Sequence, residues 1–419
     1  MGVMSTIGTV KVRRINVPPT WRSIPKRWGH SLHPMCSYLA MFPPGLPRYF
    51  IEQFTRKGDV ILDPFSGRGT CPLEACVSGR IGLGVDLNPL AYLLTHAKLD
   101  PPSHDDVLAR IEVLRNLYEP PDITGVPDEI RMLYDDSITL PQLVFIRTMF
   151  ANWKDGIDKV DRFLLAALMG IMHGNHRKSG DTSYLSISMP NTFSMAPGYV
   201  RKYIDQHSLV KPQVDVFDKL VYKVNRLFKN QLPIRSGNAF LADARTLSSL
   251  PDSHIQSGQV KMVFTSPPYL KVVNYGTFNW IRLWMLGEDI KTIDKGLRLD
   301  DEHTLARYTN FLGNIVDECA KVLRDDGLAC FVIGDVEEPG RPPLNLAEYV
   351  WTQIKDTTSM NLYGIVEDRL PVSDKVTRIW GKTQGNATKI DRILILYKQK
   401  KPRFRYGKGS DEVLSKFTT

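Results

Sequence analysis

The residues best suited to chemistry stand together in Met262–Val263–Phe264–Thr265–Ser266–Pro267–Pro268–Tyr269. The apolar residues predict the end of a buried strand, and two prolines forbid its continuation as sheet or helix. Proline also removes the N–H donor, so the carbonyls around Pro267 and Pro268 have no ladder role and can face a cleft. Ser266 adds a hydroxyl and Tyr269 a flat ring. Such a turn suits a planar heterocycle with an exocyclic amine, offering acceptors for its N–H groups and a π surface for its ring. A lone Pro-Pro-Tyr is more often a plain loop behind a core strand, so the choice rests on a second motif.

That motif runs from Val60 to Pro89. Val60–Ile61–Leu62 reads as a strand, followed by Asp63–Pro64–Phe65–Ser66–Gly67–Arg68–Gly69–Thr70 and a helix to about Ser78. Ile81–Gly82–Leu83–Gly84–Val85 is the next strand, tipped by Asp86–Leu87–Asn88–Pro89. Gly67 and Gly69 let the backbone approach a ligand, and the helix N-terminus attracts an anion. Asp86 is placed to accept hydrogen bonds from ribose hydroxyls. The loop lacks the Gly-Lys-Ser/Thr of a P-loop and departs from GxGxxG spacing. A nucleoside without a pyrophosphate fits it better, with S-adenosylmethionine the evident candidate. A structural turn with an accidental acid is the alternative.

The elements that must position these motifs form an α/β framework. Strands are expected at 60–62, 81–85, 238–242, 260–264, 328–333 and 391–397. Helices are expected at 46–54, 305–323 and 346–355, and at 274–286 with an aromatic face; the rest of 335–385 reads as loop. Between 100 and 235 the period turns helical, at 107–117, 142–152, 161–173 and 214–228. A polar, basic loop, from His173 to Thr182 and on to Tyr203, interrupts it. The expected organisation is an irregular arm (1–29), a catalytic domain (30–100 and 236–398), a helical insertion (101–235) and a basic tail (399–419).

The net charge of +9 and pI near 9.1 favour a polyanionic partner. No apolar run has the length of a membrane span and no secretory h-region follows the basic N-terminus. The five cysteines include no CxxC pair, so neither a zinc ribbon nor a disulfide framework is expected, and a reducing cytoplasm fits. His173 and His176 lack a companion carboxylate or cysteine pattern, and no metal is expected there.

The two motifs together resemble the amino-methylating DNA methyltransferases, which modify N4 of cytosine or N6 of adenine. ILDPFSGRGT at 61–70 looks like that family's cofactor motif, GVDLNP at 84–89 like the acidic motif after it, and TSPPY at 265–269 like its catalytic motif. LADAR at 241–245 looks like the short acidic motif near the cofactor's adenine. Residues 33–54 are similar to the segment that closes over methionine. The resemblance covers roughly 30–100 and 238–335. It implies a Rossmann-like class I methyltransferase sheet with a mostly helical inserted target-recognition region. In the usual pattern that insertion follows the 241–245 segment; here it precedes it.

By this resemblance Asp63, Phe65, Ser66, Gly67, Gly69, Thr70, Asp86, Asn88 and Asp243 hold S-adenosylmethionine, with Phe65 near the sulfonium. Ser266, Pro267, Pro268 and Tyr269 are implied to act on a base flipped from the stack. Serine at the head of the motif goes more often with cytosine N4. Double-stranded DNA is the implied partner, with a cognate restriction endonuclease acting on the same site. Asn175, Arg177, Lys178 and Asn191 of the insertion are expected to contact phosphates and groove. The rival readings are an N6-adenine enzyme, an RNA base-amine methyltransferase, a non-catalytic DNA-binding protein and a protein amide methyltransferase.

Overall fold

Strands apolar on both sides need covering on both faces, and most strands of this chain are of that kind. The computed structural model describes residues 14–16, 29–38, 42–177, 179, 182–190, 195–268, 276–293, 304–335, 344–368 and 391–403. It contains β1 (Arg14–Asn16), β2 (Val60–Asp63), β3 (Ile81–Asp86), β4 (Asn238–Leu241), β5 (Val260–Thr265), β6 (Leu323–Gly334), β7 (Asn361–Asp368) and β8 (Asp391–Tyr397). These form one eight-stranded sheet in the order β1-β7-β8-β6-β5-β2-β3-β4. Only β8 runs antiparallel to its neighbours. The result is the expected Rossmann-like α/β sheet, parallel except for β8.

Side-chain alternation sorts the strands between two cores. Val60, Leu62, Val263, Ala329, Phe331 and Leu394 face one way, onto helices Leu305–Val322 and Leu346–Ile354. Ile61, Met262, Phe264, Cys330, Ile393 and Ile395 face the other, onto α1 (Gly45–Phe54) and α2 (Thr70–Val77). Helix α3 (Pro89–Leu99) follows β3. Then come α4 (His104–Asn116), α5 (Asp128–Arg131), α6 (Thr139–Met149), α7 (Lys159–Met169), α8 (Pro197–His207) and α9 (Val216–Leu227) before β4. Val216, Leu220, Val224 and Leu227 put the apolar face of α9 into a third core shared with α3, α4, α7 and Trp280–Leu286. The inserted helices are therefore packed against the α3 side of the sheet as well as against each other.

Several elements differ from the sequence expectation. The arm contributes β1, which pairs in parallel with β7. β7 itself lies in a stretch read as loop. Its sequence carries a glycine and polar ends, and it is held by pairing along β8 rather than by strong strand propensity. Residues 324–327, between the helix expected to 323 and the strand expected from 328, already belong to β6. α8 occupies part of the stretch read as a continuous loop. Most of the tail expected from 399 lies outside the described residues. No helix among the described residues is long and apolar enough to cross a membrane.

The 29–38 segment is fixed by a close backbone approach. A Cβ on Gly170, at the end of α7, would sit 1.7 Å from the Met35 carbonyl oxygen. Gly170→Ala is accordingly expected to cost roughly 2–3 kcal/mol in denaturant-induced unfolding. An unchanged midpoint would contradict this packing.

Candidate active site at the carboxyl edge of the sheet

Parallel strands deliver their last residues to one edge, and three neighbours, β5, β2 and β3, deliver the singled-out residues there. β2 ends in Asp63, β3 in Asp86 and β5 in Thr265, with Ser266 next. The tips of β3 and β5 are two strand spacings apart, about 10 Å. Thr265 Oγ1 donates a 2.6 Å hydrogen bond to Asp63 Oδ1, so the serine-proline turn is tied directly to the glycine-rich loop. Ser266 and Pro268 are half-buried and Pro267 is buried. Tyr269 lies outside the described residues.

The loop after β2 is shaped by two left-handed glycines, Gly67 (φ 51°) and Gly69 (φ 76°). At Gly69 a Cβ would come within 3.0 Å of the Thr95 backbone, so the loop rests on α3. Ser66 is buried and its hydroxyl accepts from Thr95 Oγ1 at 3.2 Å, while Thr70 opens α2. Phe65 is half-buried against Phe311 with ring centroids 5.8 Å apart. Asp86 closes the arrangement: one carboxylate oxygen accepts from Gly67 N at 2.8 Å and the other from Asn88 N at 2.9 Å. Each oxygen keeps a lone pair for a further donor.

On adjacent tips, Asp63 is buried and Asp86 half-buried. Burial pushes Asp63 up to about 7, the charge of Asp86 adding to the rise while the Thr265 hydroxyl and the Phe65 N–H oppose it. Burial likewise pushes Asp86 up to about 6, against the N–H groups of Asn88, Gly67 and Leu87. A cation held beside them would favour both charged forms.

Beneath the loop the charges are reversed. Lys98 is fully buried and donates to the Arg68 carbonyl at 2.5 Å, and burial drives its pKa well below the usual lysine value. The buried Arg68 guanidinium donates to the His33 carbonyl at 3.2 Å. His33 Nε2 meets Glu74 Oε1 at 2.6 Å, and burial lowers its pKa to about 4, so a neutral ring donates this bond. Lys98 and Arg68 hold the peptide between the two glycines and fasten residues 33–36 under it. Tyr38 continues that segment over the loop, 3.5 Å from where a Gly67 Cβ would be. These positioning residues were missed one by one in the sequence. An apolar helix face hides Lys98, and only the burial of a charged residue in α3 would have signalled it.

Other singled-out residues have structural uses. Asn88 is buried, caps α3 through Leu90 N at 3.0 Å and donates to the Tyr38 hydroxyl oxygen at 3.1 Å. Asp243 stands beyond β4, accepts from Arg245 N at 2.8 Å and is ion-paired with the Arg245 guanidinium. Burial raises its pKa, but these hydrogen bonds prevail and hold it below the ordinary value. Leu241 is paired in register with Asp86 and Leu87 follows Asp86, and both leucines are exposed. In the insertion, His173 and His176 both turn to Ser186, through its hydroxyl at 3.2 Å and its carbonyl at 2.8 Å. Asn175 and Arg177 are exposed on that loop, whereas Lys178 and Asn191 lie outside the described residues.

Comparison with known proteins places this geometry in context. The family described as DNA methylase matches residues 13–95, which hold the whole β2–loop–β3 unit. The type II methyltransferase M.MjaII of Methanocaldococcus jannaschii is 36% identical over 70 residues, 17% of this chain and 13% of that protein. The type II beta methyltransferase M.BslI of a Bacillus species is 45% identical over 53 residues, 12% of this chain and 6% of that protein. The chain thus aligns with well under a fifth of either relative's length. TrmN from Thermus thermophilus overlays at a TM-score of 0.31 and 11% identity, covering 86% of this chain and 50% of that one. The fold assignment rests on the strand order and not on that overlay.

The raised Asp63 pKa has a stability consequence. Between the unfolded carboxyl value, about 4, and about 7 the native state binds the extra proton, so stability falls as pH rises through that window. Asp63→Asn, which has no proton to lose, should gain on the wild type by up to about 1.4 kcal/mol per pH unit there. Urea titrations at stepped pH check this, and a pH-independent difference between the two proteins would refute it.

Proposed function

We propose that this chain, whose likeness to the amino-methylating DNA methyltransferases is borne out by the family match and by the type II relatives, methylates the exocyclic amine of a DNA base. We read the base as cytosine and its N4 as the acceptor, in a restriction–modification setting with a cognate endonuclease. The observation that carries the reading is the Thr265–Asp63 hydrogen bond, which holds the serine-proline turn and the glycine-rich loop at one edge.

The residues present fit S-adenosylmethionine. Its ammonium and sulfonium are the positive charges that Asp63 and Asp86 favour, and its ribose hydroxyls are donors for the remaining lone pairs of Asp86. Its adenine suits the exposed apolar side chains of Leu87 and Leu241 that follow and pair with Asp86. The loop amides and the start of α2 suit its carboxylate. When bound, the cofactor supplies a methyl group on a sulfonium, an excellent leaving group.

The chain's own residues then orient the acceptor. An aromatic amine is a poor nucleophile because its lone pair is delocalised into the ring. Ser266 Oγ, which has no hydrogen-bond partner among the described residues, and the carbonyl before or at Pro267 accept from the amine N–H groups and localise that pair. Pro267 and Pro268 keep the acceptors rigid, and Tyr269 is assigned the stacking face. Positioning carries most of the rate, and no cysteine nucleophile takes part. In a duplex the amine is paired, so the base must leave the stack, at a cost of a few kcal/mol.

A labelled-methyl assay on DNA and on RNA, each digested to nucleosides, tests the reading directly; label in RNA alone, or in neither, rejects it. Ser266→Ala is expected to lower kcat by about a hundredfold with S-adenosylmethionine affinity within about twofold of wild type. Asp86→Ala should weaken that affinity roughly ten- to hundredfold by calorimetry. An unchanged dissociation constant would remove Asp86 from the ribose role.

A further inference from the structure

The insertion divides its charge. Residues 101–161 carry twelve Asp and Glu against six Lys and Arg, whereas residues 162–235 carry eleven Lys and Arg against four Asp and Glu. Several carboxylates face cations within the fold: Asp161 pairs with Arg110, Asp215 and Asp218 with Arg115, and Asp136 with Arg131 and Lys211. On the basic half, Lys219 and Lys223 are committed to backbone carbonyls. Arg201 and Lys202 on α8 are not; both are exposed, with no ion-pair or hydrogen-bond partner among the described residues.

α8 is also poorly covered for a helix of its length, with Val200 its one buried residue. Tyr199, Tyr203 and His207 stack along it at a spacing of four, with centroids 6.1 Å and then 4.0 Å apart. Tyr203, half-buried against the core of the insertion, anchors this ladder, while Tyr199 and His207 at its ends are exposed. One exposed carboxylate, Asp205, shares the helix. The helix is tied to the stretch that follows the serine-proline turn in the sequence: Met195, just ahead of it, accepts from Trp280 Nε1 at 2.7 Å through its carbonyl. Trp280 opens the helix Trp280–Met285 on the segment that leaves the Ser266–Pro268 turn.

We propose that α8 docks the sugar-phosphate backbone of duplex DNA beside the serine-proline turn, with Arg201 and Lys202 neutralising phosphates. This rests on the DNA reading of the site and adds the surface that holds the duplex while the base is presented. Cationic side chains that neutralise phosphates release counterions, and that leaves a signature which general destabilisation does not produce.

The test is the affinity of the full chain for a mixed-sequence duplex over a salt series, by fluorescence anisotropy. Each phosphate contact contributes about 0.9 to the slope of log affinity against log salt, so Arg201→Gln/Lys202→Gln should flatten it by about 1.8. Affinity at low salt should drop about tenfold or more. S-adenosylmethionine affinity should match wild type, and Lys159→Gln, which removes an exposed charge from the acidic half, should leave the slope unchanged. An unaltered slope in the double variant, or an equal effect of Lys159→Gln, overturns the assignment of α8. A wild type that binds S-adenosylmethionine but no duplex, or that holds RNA alone, sinks the DNA reading itself and the docking surface with it.

Discussion

The buried hydrogen bond from Thr265 to Asp63 joins residues 202 positions apart and sets the geometry of everything at the sheet's edge. Without it the β5 tip would still lie beside the β2 tip, because the strands pair, but the turn that follows would have no fixed bearing on the loop. The bond is short because one partner is a carboxyl held away from water, where a hydroxyl donor has no competitor. Asp63 thus shapes the loop through its own Phe65 N–H, orients the turn through Thr265, and brings a charge preference to the edge.

The electrostatics around the glycine-rich loop are layered. Above it stand two carboxyls that burial resists ionising; below it lie Lys98 and Arg68, whose hydrogen bonds end on backbone carbonyls. Buried cations on carbonyls are costly, and the cost is accepted where the backbone must be held in one conformation. Here the conformation contains two left-handed residues within three positions, which an unsupported loop would exchange for others. The same network gathers residues 33–36 by way of His33 and Glu74, so the cover over the loop and the floor under it are one structure.

The insertion is bound by a common core to α3, the helix that follows β3, and not merely connected to it in sequence. Arg282, nearly inaccessible to solvent, donates to Met169 O in α7, to Asn279 and to the Ser37 hydroxyl. One side chain therefore touches the insertion, the segment leaving the serine-proline turn, and the segment covering the loop. A surface on the insertion keeps a defined relation to the segment that covers the loop for this reason.

What the sequence determined by itself was local. Alternating and continuous apolar runs marked β2, β3, β5 and β8 to within a residue or so, because buried strands must be apolar wherever they lie in the sheet. Glycines, prolines and acids at strand ends marked the loop and the turn, since those residue types have few other reasons to stand there. The tertiary structure decided the rest. β7 exists because β8 lies beside it. Asn88 turned out to cap a helix and Asp243 to grip its neighbour Arg245, uses that depend on what packs against them. Lys98 took its place under the loop, although in the sequence it is one lysine in an apolar helix. Strand propensity and loop chemistry act over a few residues and can be read in order; pairing, burial and the partner of a buried charge join positions far apart and exist only once the chain has closed on itself.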